Sequence, residues 1–296
     1  MNPGHTPPGG NGPGRAQAPP STQRTAPAVP DPQQPSADAA AQPKEIARLT
    51  AADPFRWLAL GWADLMAHKG IALFYGVCFW LMAWVLGAVF RNRPEYTLSI
   101  ASGCLLVGPF LAMGLYEVSR RRERGIAPSL ATSLTCWDTH LPSMGLLVLV
   151  MLVLELLWGR ASLVVFAVFF NTGMPSTTGV LQAVFNPQNW QFLAVYLVVG
   201  GAFATLVYAT AVVSIPMILD RDTDAISATI TSMQVVFENT GTMLLWGLLI
   251  TALVLLALLP QALGLVLVGP WLGHASWHAY RGSVRWPQAD GPLSPA

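Results

Sequence analysis

From residue 44 onward the chain alternates long apolar runs with short segments of mixed polarity. A bilayer's hydrocarbon core is about 30 Å thick, so roughly 20 consecutive apolar residues cross it as a helix. Ile71 to Phe90 contains no Asp, Glu, Lys or Arg, and neither does Phe192 to Leu219. Between Glu238 and Arg281 there is no formal charge at all, room for two crossings if the chain turns near Pro260-Gln261. Leu98 to Val118 and Pro142 to about Val165 complete the set, the latter carrying Glu155 and Arg160. The pattern predicts about six transmembrane helices; Leu163 to Phe170 extends the third, lies at the interface or folds back.

The segments between the runs have a helical period of their own. In Pro54 to His68, Phe55, Leu58, Leu65 and Met66 lie near one face while Arg56, Asp64 and His68 are polar. Trp57 and Trp62 suit the headgroup region. In Asp224 to Glu238, Ile226, Ile230, Met233 and Phe237 recur at helical spacing. With Pro128 to His140 these make three amphipathic helices lying at the interface. A repeat also runs through the crossings: Leu106-Val107-Gly108-Pro109-Phe110-Leu111 recurs as Leu267-Val268-Gly269-Pro270-Trp271-Leu272, with Val213-Ser214-Ile215-Pro216-Met217-Ile218 at the corresponding place. The expected fold is an all-α polytopic membrane bundle of three parallel copies, each an interfacial helix followed by two crossings.

Charge orients the bundle. Charged residues are only 10% of the chain, against about a quarter in soluble domains. Lys44, Arg48, Arg56 and Lys69 precede the first span, Arg120, Arg121, Arg122 and Arg124 follow the second, Arg221 the fourth, and Arg281 and Arg285 the sixth. Six crossings put all of these on one side, which the positive-inside rule makes cytoplasmic, with both termini. Residues 1–43, dense in Pro, Gly, Ala and Gln, are expected to be a disordered cytoplasmic tail without the apolar core of a cleavable signal. The membrane domain is then 44–285, followed by a short disordered tail, 286–296. Cys78, Cys104 and Cys136 form no CxxC pair and read as small apolar core residues.

Several residues carry candidate chemistry, each with a structural alternative. His274 and His278 share a helical face at a spacing that can serve a metal or haem, handle a proton, or simply pack and hydrogen-bond near headgroups. Glu155 and Arg160 are the strongly charged residues inside a span; five apart, they lie on different faces and need other partners. Glu117 is placed to bridge to the arginines behind it. Asp220, Asp222 and Asp224 with Arg221 have the alternating acidic pattern of a calcium loop, but its glycine and later glutamate are missing, so capping and an Arg221 ion pair are expected. Pro109, Pro216 and Pro270 kink helices or free carbonyls for an ion. No Walker loop, zinc motif, nucleophile elbow or nucleotide fingerprint occurs, so neither a catalytic constellation nor a cofactor is expected, and no nucleic-acid partner.

Asp53-Pro54-Phe55-Arg56-Trp57-Leu58, Leu73-Phe74-Tyr75-Gly76, Gly108-Pro109-Phe110, Gly114-Leu115-Tyr116-Glu117-Val118-Ser119-Arg120-Arg121, Trp158-Gly159-Arg160-Ala161-Ser162, Leu219-Asp220-Arg221-Asp222 and Gly273-His274-Ala275-Ser276-Trp277-His278-Ala279-Tyr280-Arg281 together resemble a family of bacterial predicted integral membrane proteins classed as a domain of unknown function. The resemblance runs from about Ile46 to Arg285 and implies a multi-pass inner-membrane protein with no established activity. The organisation also looks like the membrane domain of some glycerophosphodiester phosphodiesterases, without their catalytic domain. Some members of the family are labelled cytochrome oxidase subunits; the histidines here, His5, His68, His140, His274 and His278, are too few for a catalytic one. Two functions stay open: a non-enzymatic scaffold, assembly or lipid-organising factor whose partners are the bilayer and a second copy or membrane complex, and a small-solute or ion transporter using Glu155.

Overall fold

The computed structural model describes residues 44–93, 96–170, 186–259 and 261–286; the tail expected over 1–43 and the turn residue Pro260 lie outside them. In chain order the elements are β1 (Glu45–Ile46), α1 (Asp53–Ala67), α2 (Lys69–Asn92), α3 (Thr97–Glu123), α4 (Leu130–Thr135), α5 (Leu141–Phe169), α6 (Trp190–Ala211), α7 (Ser214–Arg221), α8 (Ala225–Glu238), α9 (Thr240–Leu258), α10 (Leu265–Ser283) and β2 (Val284–Arg285). The fold is an all-α membrane bundle with a single two-residue ladder among the described residues.

Five stretches are long and apolar enough to cross a membrane: Lys69–Asn92, Ser99–Glu123, Leu130–Phe169, Trp190–Arg221 and Thr240–Leu258. Leu163 to Phe169 continues α5 as helix rather than folding back. The sixth expected crossing, α10, has 19 residues, but its second half carries His274, Ser276, His278 and Arg281. Ten of its residues are buried against the bundle, so its polar side chains meet protein rather than lipid.

The repeat is legible in the packing. The second long helices of the three copies, α3, α6–α7 and α10, form the interior: α3 packs on both α7 and α10, and α7 on α10. Each first helix sits in the groove between two of them. Helix α2 lies against α3 and α10, and α5 against α3 and α6; α9 packs on α10 and accepts a 2.7 Å hydrogen bond on Met243 O from Tyr208 of α6. The short helices close the ring cyclically: α1 packs on α10, α4 on α3, and α8 on α6 and α7, so each copy clasps the inner helix of the copy before it. The antiparallel β1–β2 ladder, pairing Ile46 with Val284, joins the two ends of the described chain.

Two details explain this geometry. The fourth crossing breaks at Val212–Val213, four residues before Pro216, whose ring crowds the carbonyl at that offset and which donates no N–H. Ser232 of α8 accepts from the backbone N–H of Val213 at 3.2 Å, which satisfies a group the break exposes. Helix α10 can approach α1 and α2 closely because Gly61 faces Ala275, where a Cβ would meet backbone at 2.5 Å, and Gly76 lies on the Val266 carbonyl. The outer surface is apolar in the sense required by lipid: α8 buries Thr231 and Ser232 and turns Ile226, Ile230 and Phe237 outward. On α1, Phe55 and Met66 likewise face out, whereas Leu65 and Asp64, expected on opposite sides, are both buried.

Candidate functional site

The C-terminal ends of α3, α7 and α10 meet at the end of the bundle that carries the arginines. The last turn of α3 holds Arg120, Arg121 and Arg122, α7 ends on Arg221, and Arg281 lies in the last turn of α10. Cations there complement the carbonyl ends of the helices; Arg120 Nη1 donates to Leu219 O at 2.5 Å.

Beneath the arginines is a buried polar node. Asp64, 3% exposed, is carried inward on the face of α1 that also presents Trp57 and Gly61. Ser119 Oγ donates to Asp64 Oδ2 at 2.5 Å, His278 Nε2 lies 2.9 Å from the same oxygen, and Arg122 Nη1 pairs with Oδ1. Burial pushes the Asp64 carboxyl up, but the hydrogen bonds from His278, Ser119 and Arg122 and the charge of His278 outweigh it. The group is held below its ordinary value of 3.8. His274 Nδ1 sits 2.8 Å from Ser119 Oγ. Because the serine proton is committed to Asp64, the imidazole N–H of a neutral His274 belongs on Nδ1. That leaves Nε2 an acceptor, buried and without a hydrogen-bond partner.

A second set of charges lies nearer the helix ends. Glu117, expected to bridge to the arginines, lies 2.5 Å from Arg120 Nη2 and 2.6 Å from Arg121 Nε. Asp220 collects Arg124 at 3.1 Å, Arg221 at 3.2 Å and a 2.9 Å hydrogen bond from Tyr280. Glu123 lies 3.4 Å from Arg281 and 3.6 Å from His278, and so links the two sets. Asp224 caps α8 through Ser227 N at 2.9 Å, as the acidic turn implied, while Asp222 ends α7 in a left-handed conformation, φ 50°. A cavity of about 270 Å³ opens among Arg120, Glu123, Arg124, Asp220, Arg221, Trp277 and Arg281. The fold does not end at Arg285: Trp286, assigned to the tail by sequence, is 2% exposed with its ring 4.8 Å from the Arg221 guanidinium.

Glu155 stands apart from this site. It lines a lateral groove of about 460 Å³ with Leu105 of α3, Met151, Leu154 and Trp158 of α5, and Gly200, Phe203 and Tyr208 of α6. Its Oε2 is buried without a hydrogen-bond partner. Arg160 is exposed in the second half of α5, and no ion pair joins it to Glu155 among the described residues. Among the described residues no three His, Cys, Asp or Glu side chains converge as a metal site would require.

Of the residues singled out by sequence, His274, His278, Glu117, Asp220 and Arg221 are thus brought to one end of the bundle, and Glu155 and Arg160 are not. Sequence reasoning missed Asp64, Ser119, Arg122 and Glu123. Asp64 had a signal: with Trp57, Gly61 and Leu65 it falls at positions i, i+4, i+7 and i+8 of one helical face, a pattern overshadowed by the assumption that a carboxylate faces water.

Residues 97–220 match the model of a family described as predicted integral membrane protein (DUF2189). The matched stretch covers α3 to α7, with Glu117, the arginine run, Glu155 and Asp220, and is narrower than the resemblance read from Ile46 to Arg285. No curated protein and no solved structure gives a significant match, so the likeness to phosphodiesterase membrane domains gains no support.

Proposed function

We propose that this protein is a non-enzymatic scaffold of the bacterial inner membrane, a six-crossing bundle that organises lipid or a membrane complex around a packed interior. The observation that carries this reading is what fills the space between the inner helices. Met113 and Tyr116 of α3, Ile215 and Leu219 of α7, and Leu272 and Ala275 of α10 belong to one buried cluster. A solute path needs polar, hydrated walls at membrane depth; here the interior is an apolar plug. Apart from Glu155 in its lateral groove, the charged groups of the interior gather at one end. Their density at the junction of three repeats suits a clamp, which keeps the cyclic arrangement in register.

Topology supports the same picture. Residues 46 and 284 pair in one ladder, so an even number of crossings separates them. Five long apolar helices leave α10 as the sixth. The arginines of α3, α7 and α10 then share the cytoplasmic face.

Single cysteines in a background lacking Cys78, Cys104 and Cys136 test the reading with a membrane-impermeant maleimide. Cysteines at Ile215, Leu272 and Gly201 are expected to stay unlabelled while one at Arg124 reacts; labelling at membrane depth would establish an aqueous path and overturn the scaffold. A second reading, transport of a small solute or ion, rests on the unpartnered Oε2 of Glu155 in its groove, and the same experiment with a cysteine at Glu155 reports on it.

A further inference from the structure

The cavity at the meeting of α3, α7 and α10 is built differently from the apolar interior below it. Its charged lining consists of Arg120, Arg124, Arg221 and Arg281 against Glu123 and Asp220, four positive and two negative groups, an excess of two. All four cations are arginine, the side chain whose planar fork matches the oxygens of a phosphate and holds them through paired N–H donors. The carbonyl ends of the three helices account for part of the excess, as they do wherever arginines close a helix. They do not account for Arg120 Nε. Arg120 lines the cavity and spends Nη1 on Leu219 O and Nη2 on Glu117, yet its Nε–H is buried without an acceptor. Leaving a buried donor unmet is unfavourable, and an anion in the cavity is a natural acceptor for it.

We propose that this cavity binds a phosphate group, either the headgroup phosphate of an anionic lipid or free inorganic phosphate. Size argues for a small group: about 270 Å³ falls below the roughly 300–1,000 Å³ of sites that enclose drug-sized ligands, so a phosphate fits where a nucleotide does not. Depth argues for access from the bilayer. The cavity lies at the ends of two of the five apolar crossings, Ser99–Glu123 and Trp190–Arg221, the level at which lipid phosphates sit. Arg124, whose side chain is 53% exposed, forms its rim, and Arg120, 19% exposed, lies deeper. The assignment is independent of whether the bundle is a scaffold or a transporter, because it needs only the arginine cavity at headgroup depth.

The test compares three proteins of full length in phosphatidylcholine nanodiscs with and without phosphatidylglycerol. They are the wild type, Arg124→Gln at the rim, and Arg121→Gln, which removes the same charge from the same helix turn but does not line the cavity. Native mass spectrometry reads the phosphatidylglycerol retained after release from the disc. The wild type is expected to retain it over phosphatidylcholine, Arg124→Gln to lose roughly tenfold in retention, the worth of one charge-assisted contact, and Arg121→Gln to match the wild type. Addition of inorganic phosphate separates the two sources. Displacement of the lipid, or thermal stabilisation of lipid-free protein by phosphate alone, identifies free phosphate as a ligand; retention unaffected by phosphate identifies the lipid headgroup. Equal losses in Arg121→Gln and Arg124→Gln would reduce the effect to general surface charge and overturn the site, as would a wild type that holds neither lipid nor phosphate.

Discussion

Removal of the Asp64 carboxylate is the sharpest perturbation of the clamp. Asp64 accepts from Ser119 at 2.5 Å and from His278 at 2.9 Å, and pairs with Arg122, while only 3% exposed. Hydrogen bonds to a charged group are worth about 1.5–3 kcal/mol each, and loss of one partner of a buried pair costs about 3–5 kcal/mol, because the remaining charge is stranded. The Arg122 side chain is 40% exposed and can turn to water; Ser119 and His278 cannot. Asp64→Ala is therefore expected to cost about 3 kcal/mol, the lower end of that range, or roughly 6–12 °C in melting temperature for a domain of this size. Asp64→Asn keeps one acceptor and should lose about half as much. Thermal unfolding of the purified protein in one detergent reads both, and a double-mutant cycle with Arg122→Met isolates the pair. An Asp64→Ala protein that melts with the wild type would refute the clamp. The pH dependence carries the same signature. A carboxyl held below its ordinary value stabilises the fold above that value, and its contribution fades as pH falls below 3.8; Asp64→Asn should flatten the acid limb of the stability profile.

Other residues yield simpler expectations. At Gly76 a Cβ would run into the Val266 carbonyl, so Gly76→Val should prise α2 from α10 and cost at least the 1–3 kcal/mol typical of overpacking. Gly70, with nothing within 4 Å of its Cβ position, should accept alanine without loss of melting temperature. Cysteines at Ile46 and Val284, which are ladder partners, should form a disulfide under mild oxidation in a background free of the native cysteines; failure to cross-link in folded protein would break the parity argument for six crossings. Glu155→Gln should leave the unfolding free energy within about 0.5 kcal/mol of the wild type, since its buried oxygen has no partner to lose. A marked loss would reveal an ion pair inside the groove.

Much of the fold was legible in the chain because it rests on local properties. The length of an uncharged run decides whether a helix can cross a bilayer, so Lys69–Asn92 and Thr240–Leu258 needed no tertiary information. The proline spacing announced three copies, and Pro216 even marked where the fourth crossing breaks. Helix α10 was harder. Its histidines and Arg281 interrupt the apolar pattern, and it can sit in the bundle only because α1, α2 and α3 cover them.

The clamp was decided by tertiary structure alone. Ser119 and His278 lie 55 and 214 residues from Asp64 in sequence, and no spacing rule connects them. What brings them together is cyclic packing, in which α1 reaches past its own copy to rest on α10. A helix in lipid can turn large apolar side chains outward, as α8 does with Ile226, Ile230 and Phe237, so its most hydrophobic face need not be its buried one, and the sequence does not say which face turns inward. Helix positions along this chain are therefore a property of its sequence, while the choice of which polar faces meet belongs to the three-dimensional fold.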